Sequence, residues 1–511
     1  MSQNLYHTLS GGFPQDRSAT VFVIPGGGDY SFAELEAGAG RIAALLRSLD
    51  VDPGDRVMAQ VDKSPEAVFL YLACLRIGAI YLPLNTAYRE TELEFFISDA
   101  EPSVIVCEPG HAETIEALAT RLGDAHVLTL GTEGDGSLIE RSQPLEPATE
   151  VAETGADDIA AICYTSGTTG RSKGAMLSHA NLASNAQTLH KLWGFVPGDV
   201  LLHALPIFHV HGLFVALHCA LLNGSKVIFL PRFDADEMVR QMPNATVMMG
   251  VPTFYVRLLA HPRFTREVCA NMRLFIAGSA PLLAETFAEF EARTGHRVLE
   301  RYGMTEAGMV TSNPYEGERR PGKVGRALPG VELRVADEDG RILPPGEVGV
   351  LEYKGPNVFK GYWRMPEKTK EEFRPDGFFI SGDLATLDED GTVTIVGRAK
   401  DLIISGGFNV YPKEVEGFID ELDGVGESAV VGLPHPDFGE AVAAVVTAAA
   451  PTEKPDEAEI IATLKDRLAS FKVPKRVFVV DELPRNTMGK VQKTLLRERY
   501  AATFKETTPA G

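Results

Sequence analysis

Residues 158–193 constrain the fold of this chain more than any other stretch. DIAAICY (158–164) is short, apolar and rich in strand formers, and it reads as a buried strand. It runs directly into YTSGTTGRSKG (164–174), and a helical pattern of Leu182, Ala186, Leu189 and Trp193 follows a few residues later. Gly167 and Gly170 permit backbone angles closed to other residues. Thr165, Ser166, Thr168 and Thr169 bring four hydroxyls, and Arg171 and Lys173 bring two cations. Successive backbone N–H groups in such a loop form a concave anion seat, and polyphosphate is its natural guest. An ordinary surface turn does not concentrate so many donors beside two cations. The loop is not a Walker A sequence. Ser172 stands where the second glycine belongs, and Gly174 rather than Ser or Thr follows Lys173, so a P-loop ATPase loses its main support.

The flanking chain predicts an α/β fold with mostly parallel sheets. Residues 35–48 read as an amphipathic helix, and 104–107, 227–231, 247–252 and 273–278 as buried strands. After about residue 325 the texture changes to alternating residues between Gly, Pro and Asp-Gly turns, which predicts antiparallel hairpins or a small barrel. Beyond 400, helices at 414–422 and 457–471 and strands at 427–434, 440–449 and 476–484 suffice for a small α+β domain. With 511 residues, two or more domains are expected, and the boundary is placed near Lys400.

Charge narrows the partners. The net charge of −21 argues against nucleic acid or an anionic membrane, and an anionic substrate must be caught by local positive groups. The five cysteines are scattered and form no CxxC pair, so a zinc site or disulfide framework is not expected. No basic, apolar leader and no membrane-length apolar run is visible, and a cytoplasmic protein is the expectation.

Further segments follow in a fixed order: GSAPL (278–282), ERYGMTEAG (300–308), GYW (361–363), GFFISGDLA (377–385), GRAKDLIISGGFNVYPKEVE (397–416) and PRNTMGKVQK (484–493). Taken singly, Glu306 reads as a solvated acid, Asp383 as a cap, Arg398 as an ion-pair partner and Lys490 as a turn lysine. Together with the glycine-rich loop they resemble the adenylate-forming superfamily of acyl-CoA synthetases, peptide-synthetase adenylation domains and firefly luciferase. Ser172 departs from it, since the family usually has Pro there. The resemblance implies an α/β fold: a large N-terminal domain (1–399) with two doubly wound sheets and a small β-barrel subdomain, then a mobile α+β domain (400–511). It implies ATP, Mg²⁺ and coenzyme A. Thr165, Ser166, Gly167, Thr168, Thr169, Gly170 and Lys173 match the phosphate loop. Gly278, Ser279, Ala280, Glu300, Arg301, Tyr302 and Gly303 match the walls around adenine, with Tyr302 stacking on the base. Thr305 and Glu306 match the α-phosphate and Mg²⁺ positions, Asp383 the ribose acid, Arg398 a nucleotide-contacting arginine and Lys490 the catalytic lysine. Lys400 matches the hinge, and Gly406 and Gly407 the passage for the pantetheine arm. His209 matches a gate between acid and nucleotide.

Arg301 points to the acid. Relatives acting on fatty or aryl acids usually carry an uncharged residue there, and a buried arginine is costly unless paired. A second carboxylate on the substrate would match the guanidinium bidentately. Arg257 and Ser279 are expected to assist, and Val210 and Met309 to border the α-carbon. The resemblance is strongest to malonyl-CoA synthetases, which implies a small dicarboxylate, malonate or methylmalonate. The alternatives are a salt bridge from Arg301 to Glu300 or Glu306 within a short-chain or aryl acyl-CoA synthetase, or an adenylation domain that loads a carrier protein.

Overall fold

Short, fully apolar strands build two parallel-rich sheets. The structure, a computed structural model, describes residues 3–165, 172–405, 408–435, 438–450, 455–468, 470–486 and 489–504. The chain divides into two compact units, Met1–Glu332 with Tyr353–Phe379, and Leu333–Glu352 with Ile380–Gly511.

In the first unit a nine-stranded sheet has six parallel strands at its centre: Leu299–Met304, Leu274–Ala277, Val247–Gly250, Val200–His203, Lys226–Phe229 and Thr20–Val23. The middle strands are buried because helices cover them, as parallel sheets require. A six-stranded sheet orders His126–Thr129, Val104–Cys107, Arg56–Gln60, Ile80–Pro83, Ile159–Thr165 and Lys173–Ser178. Its last pair is antiparallel, with Thr165 opposite Lys173. The glycine-rich segment therefore joins two strands of a hairpin, and the expected helix begins only at His179, capped by Ser178. Lys173–Ser178 is held as a strand from its other side as well. The Met176 N–H donates to the Gly361 carbonyl at 3.0 Å and the Trp363 N–H to that of Gly174 at 2.7 Å. The helix read over 35–48 spans Phe32–Ser48 and opens with a Ser31–Glu34 capping box.

The segment expected as hairpins or a barrel forms a four-stranded sheet of Glu332–Ala336, Gly349–Lys354, Phe379–Leu387 and Val393–Arg398. Most of it belongs to the second compact unit, which takes Leu333–Glu352 and then the chain from Ile380 onward. The reason is the antiparallel pairing of Val393–Arg398 with Phe379–Leu387. Lys400 sits inside the second unit, exposed in the single turn Ala399–Asp401. The rest of that unit matches the α+β reading. Val425–His435 and Gly439–Ala448 form its central antiparallel pair, Arg476–Val480 adds in parallel, and helices Pro412–Asp420 and Glu457–Arg467 cover one face. Among the described residues no helix is long and apolar enough to cross a membrane.

Candidate active site

The strand Leu299–Met304 decides where two neighbouring charges go. Successive side chains on a strand point to opposite faces, so Glu300 and Arg301 cannot meet. Glu300 turns to accept the Gly322 N–H at 3.1 Å, and burial pushes its carboxyl up to about 7. Arg301 turns the other way and is 3% exposed. Its Nε and Nη2 have no hydrogen-bond partner among the described residues, and no carboxylate there pairs with it. Burial lowers its pKa to about 9, against a small opposing effect of Tyr255. Gly278 makes room for this group, since a Cβ at that position would overlap the guanidinium.

Ser279 and His211 complete the surroundings. Ser279 holds φ +70, a left-handed conformation costing a non-glycine residue about 1–3 kcal/mol, which marks a constrained turn. Its Oγ lies 3.3 Å from His211 Nδ1. His211 is buried, its Nε2 has no partner among the described residues, and it stays neutral because of burial first and then of Arg301, His209 and His203. The His211 N–H donates to His209 Nδ1 at 3.1 Å. The result is a cluster of unused donors around a buried cation, suited to an anion with several acceptor oxygens.

A second centre in the same unit surrounds Glu306. Its carboxylate is buried, and the Tyr362 hydroxyl stands 3.1 Å from Glu306 Oε1 and 2.6 Å from Glu372 Oε2. Burial and the two carboxylates raise the Tyr362 pKa. Lys173 pairs with Glu372 Oε1 at 2.8 Å and lies 4.0 Å over the Tyr362 ring. Burial alone would raise the Glu372 carboxyl, but Lys173 and Tyr362 outweigh it and the net direction is down. Lys173, at the C-terminal end of the glycine-rich segment, is thereby tied to Glu306 through Glu372 and Tyr362.

The remaining expected positions divide by unit. In the second unit Asp383 and Arg398 stand opposite each other on paired strands, with Arg398 Nε 2.7 Å from Asp383 Oδ1. Lys490 is exposed on a closed turn, where its N–H donates to Asn486 Oδ1 at 2.9 Å and its carbonyl accepts the Asn486 N–H at 2.9 Å. In the first unit Tyr302, Thr305, Ala280 and His209 are half-buried, and Val210 and Met309 are buried. Gly303 has no side chain because a Cβ would strike the Gly308 carbonyl and Met309. Thr165 directs Oγ1 to the Lys173 carbonyl at 3.5 Å. Ser166, Gly167, Thr168, Thr169, Gly170, Gly406 and Gly407 lie outside the described residues.

Arg257 stands on the outer face of its helix. The helix Pro252–Ala260 buries Tyr255, Leu258 and Leu259, so Arg257 is left exposed, with its guanidinium 6.0 Å from the Phe233 ring centroid. Helical spacing carries the signal for this, because a residue two positions beyond a buried one leaves the buried face. His211, Tyr362 and Glu372 were not anticipated. Tyr362 sat in the quoted GYW segment, and His211 is one turn residue beyond Val210, but Glu372 meets Lys173 across 199 residues and no local pattern announces it.

The chain matches the AMP-binding enzyme family over residues 10–363 and the AMP-binding enzyme C-terminal domain over 414–490. It is 35% identical to a malonate–CoA ligase of Arabidopsis thaliana, covering 92% of this chain and 85% of that one. It is 37% identical to a feruloyl-CoA synthase of an Amycolatopsis species, covering 93% and 95%. The crystal structure of ATP-bound MatB from Rhodopseudomonas palustris superposes with a TM-score of 0.96 at 57% identity, covering 99% of this chain and 100% of that one.

The seat of Arg301 is testable at Gly278, which the family resemblance alone would assign to the nucleotide. Overpacking there costs about 1–3 kcal/mol and displaces the guanidinium. Gly278→Ala is expected to raise the KM for the acid about tenfold and leave the KM for ATP within about twofold. An acid KM that stays put while the ATP KM rises contradicts the seat.

Proposed function

Because the chain belongs to the AMP-binding enzyme family, we propose that it joins a small dicarboxylate, malonate foremost, to coenzyme A, with ATP cleaved to AMP and pyrophosphate. One observation carries the choice of acid: a buried guanidinium whose Nε and Nη2 lack partners among the described residues. A monocarboxylate spends its only carboxylate on the reaction and leaves that charge unpaired. A dicarboxylate brings the missing anion, and Ser279 and His211 add donors beside it. The similarity to a malonate–CoA ligase and to MatB supports the same reading. Methylmalonate needs only room for one methyl group near Val210 and Met309.

The reaction runs in two halves. The free carboxylate attacks the α-phosphorus of ATP, giving an acyl-adenylate and pyrophosphate. The CoA thiol then attacks the acyl carbon, AMP leaves, and the thiol proton passes to solvent. The first half needs positioning and charge stabilisation rather than covalent catalysis by the protein. Lys173 follows the glycine-rich segment that holds the phosphates in this reading, and Lys490 brings a positive charge to the attacked phosphate. Asp383 accepts the ribose hydroxyls, and Arg398, already paired with it, holds that carboxylate in place. The buried Glu306 carboxylate, oriented by Tyr362, fits a hard cation that keeps most of its waters. Mg²⁺ held there would neutralise phosphate charge. Lys400 serves as the pivot that exchanges Lys490 for the Gly406–Gly407 passage between the halves. All five cysteines are buried and unbridged, which supports a reducing, cytoplasmic setting.

Arg301→Met separates binding from stability. Loss of a buried charge partner costs about 2–5 kcal/mol, so malonate kcat/KM should fall about 1,000-fold with the ATP KM unchanged. Burial lowers the Arg301 pKa from the ordinary arginine value to about 9, so the charge destabilises the fold below about pH 9, and the penalty fades as pH rises from there toward the ordinary arginine value. The variant should therefore be more stable at pH 7, by on the order of a few kcal/mol. Wild-type kcat/KM for malonate should decline as pH passes about 9. Unchanged malonate kinetics in the variant contradict the clamp.

Lys490→Ala separates the half-reactions. Malonate-dependent exchange of pyrophosphate into ATP should drop at least about 100-fold. Thioester formation from supplied malonyl-adenylate should keep most of its rate. Equal losses in both halves contradict the assignment of Lys490 to the first.

A further inference from the structure

Among the described residues no acid pairs with Lys63. It follows the strand Arg56–Gln60 of the six-stranded sheet and precedes the helix Pro65–Ile77. Its side chain reaches the end of Val200–His203 in the nine-stranded sheet. Nζ lies 2.7 Å from His203 Nδ1, donates to the His203 carbonyl at 2.9 Å, and sits 4.3 Å from the centre of the Phe229 ring. No carboxylate among the described residues pairs with it, and burial holds its pKa well below the ordinary lysine value. A lysine placed so expensively is kept for its donors.

Those donors hold the His203 ring. This imidazole is buried, and its Nε2 lies 3.0 Å from the Gly212 carbonyl. A carbonyl only accepts, so Nε2 carries the hydrogen. Burial, Lys63 and the enclosed site keep the ring neutral, so Nδ1 is a lone pair and accepts from Lys63. The Gly212 carbonyl belongs to the turn that carries the acid pocket. Gly212 N–H donates to the His209 carbonyl at 3.1 Å, and the residues His211–Leu217 open as a π-helix, a form often retained at functional sites. Gly212 also lies so close to Pro206 that a Cβ would overlap its carbonyl. A small rotation of this turn moves His211 relative to Ser279 and Arg301.

We propose that Lys63 is a positioning residue for the acid pocket: it anchors the His203 ring that grips Gly212, and through that turn it sets His211 beside Ser279 and Arg301. The proposal rests on the reading that this pocket takes the acid. It assigns Lys63 no contact with substrate, so its effect belongs to the acid KM alone.

Two measurements test it. Nitrogen-15 NMR of the histidine-labelled wild-type enzyme should show His203 neutral with hydrogen on Nε2 from pH 6 to 8. In Lys63→Met the Gly212 carbonyl should keep the hydrogen on Nε2, while the Nδ1 resonance shifts as it loses the Lys63 donor. The acid KM should rise about tenfold, the worth of one buried hydrogen bond, with kcat and the ATP KM within about twofold. Lys63→Arg, which keeps a donor, should restore most of the acid KM. A wild-type His203 that is charged or protonated on Nδ1 overturns the proposal without any variant being made. So does an unchanged acid KM in Lys63→Met, or a parallel rise for acid and ATP, which marks a merely structural lysine. Should the enzyme prefer a monocarboxylate, the dicarboxylate reading falls, while the tautomer and the KM split measured on that acid still decide the role of Lys63.

Discussion

A charged guanidinium buried with no anion beside it among the described residues is a costly feature of the first unit, and the neighbouring structure is arranged around it. Arg301 stays apart from Glu300 because strand alternation sends the two to opposite faces. It fits only because Gly278 has no side chain. The adjoining Ser279 is held in a left-handed conformation, and His211 is held neutral. Each of these costs stability in the free protein. Sites that trade stability for function in this way are recovered when ligand supplies the missing partner.

Charge is partitioned between two centres. Around Glu306, acids and a cation are interleaved, with Lys173, Glu372 and Tyr362 satisfying one another. Around Arg301, cationic and neutral donors gather with no acid among the described residues. The first arrangement suits a cation coordinated by phosphate, the second an anionic acid. In a chain of net charge −21 the second centre is the local positive site that any anionic substrate needs.

The strand and helix plan was legible because buried parallel strands are short apolar runs: 104–107 coincides with a strand, and the readings 247–252 and 273–278 contain the strands Val247–Gly250 and Leu274–Ala277. The hairpin at the glycine-rich segment was not, because Lys173–Ser178 becomes a strand through pairing with residues near 361, far along the chain. Arg301 stood out as a charge in a family position, yet its lack of a partner depends on which face of the strand it occupies. That Arg257 lies on the exposed face of its helix follows from the buried face of Pro252–Ala260, a spacing the sequence carries. The network of Lys63, His203 and Gly212 joins three segments and two sheets, so only the folded chain displays it.

The central claim is that the buried guanidinium awaits the second carboxylate of the substrate. Its most direct test is AMP release by the wild-type enzyme with ATP, Mg²⁺ and CoA, comparing kcat/KM for malonate and acetate. A site built to pair a polar group rejects the analogue lacking it by about 10,000-fold, and malonate should be preferred by that order. Equal rates, or a preference for acetate, would contradict the account and leave the Arg301 charge without a role in choosing the acid.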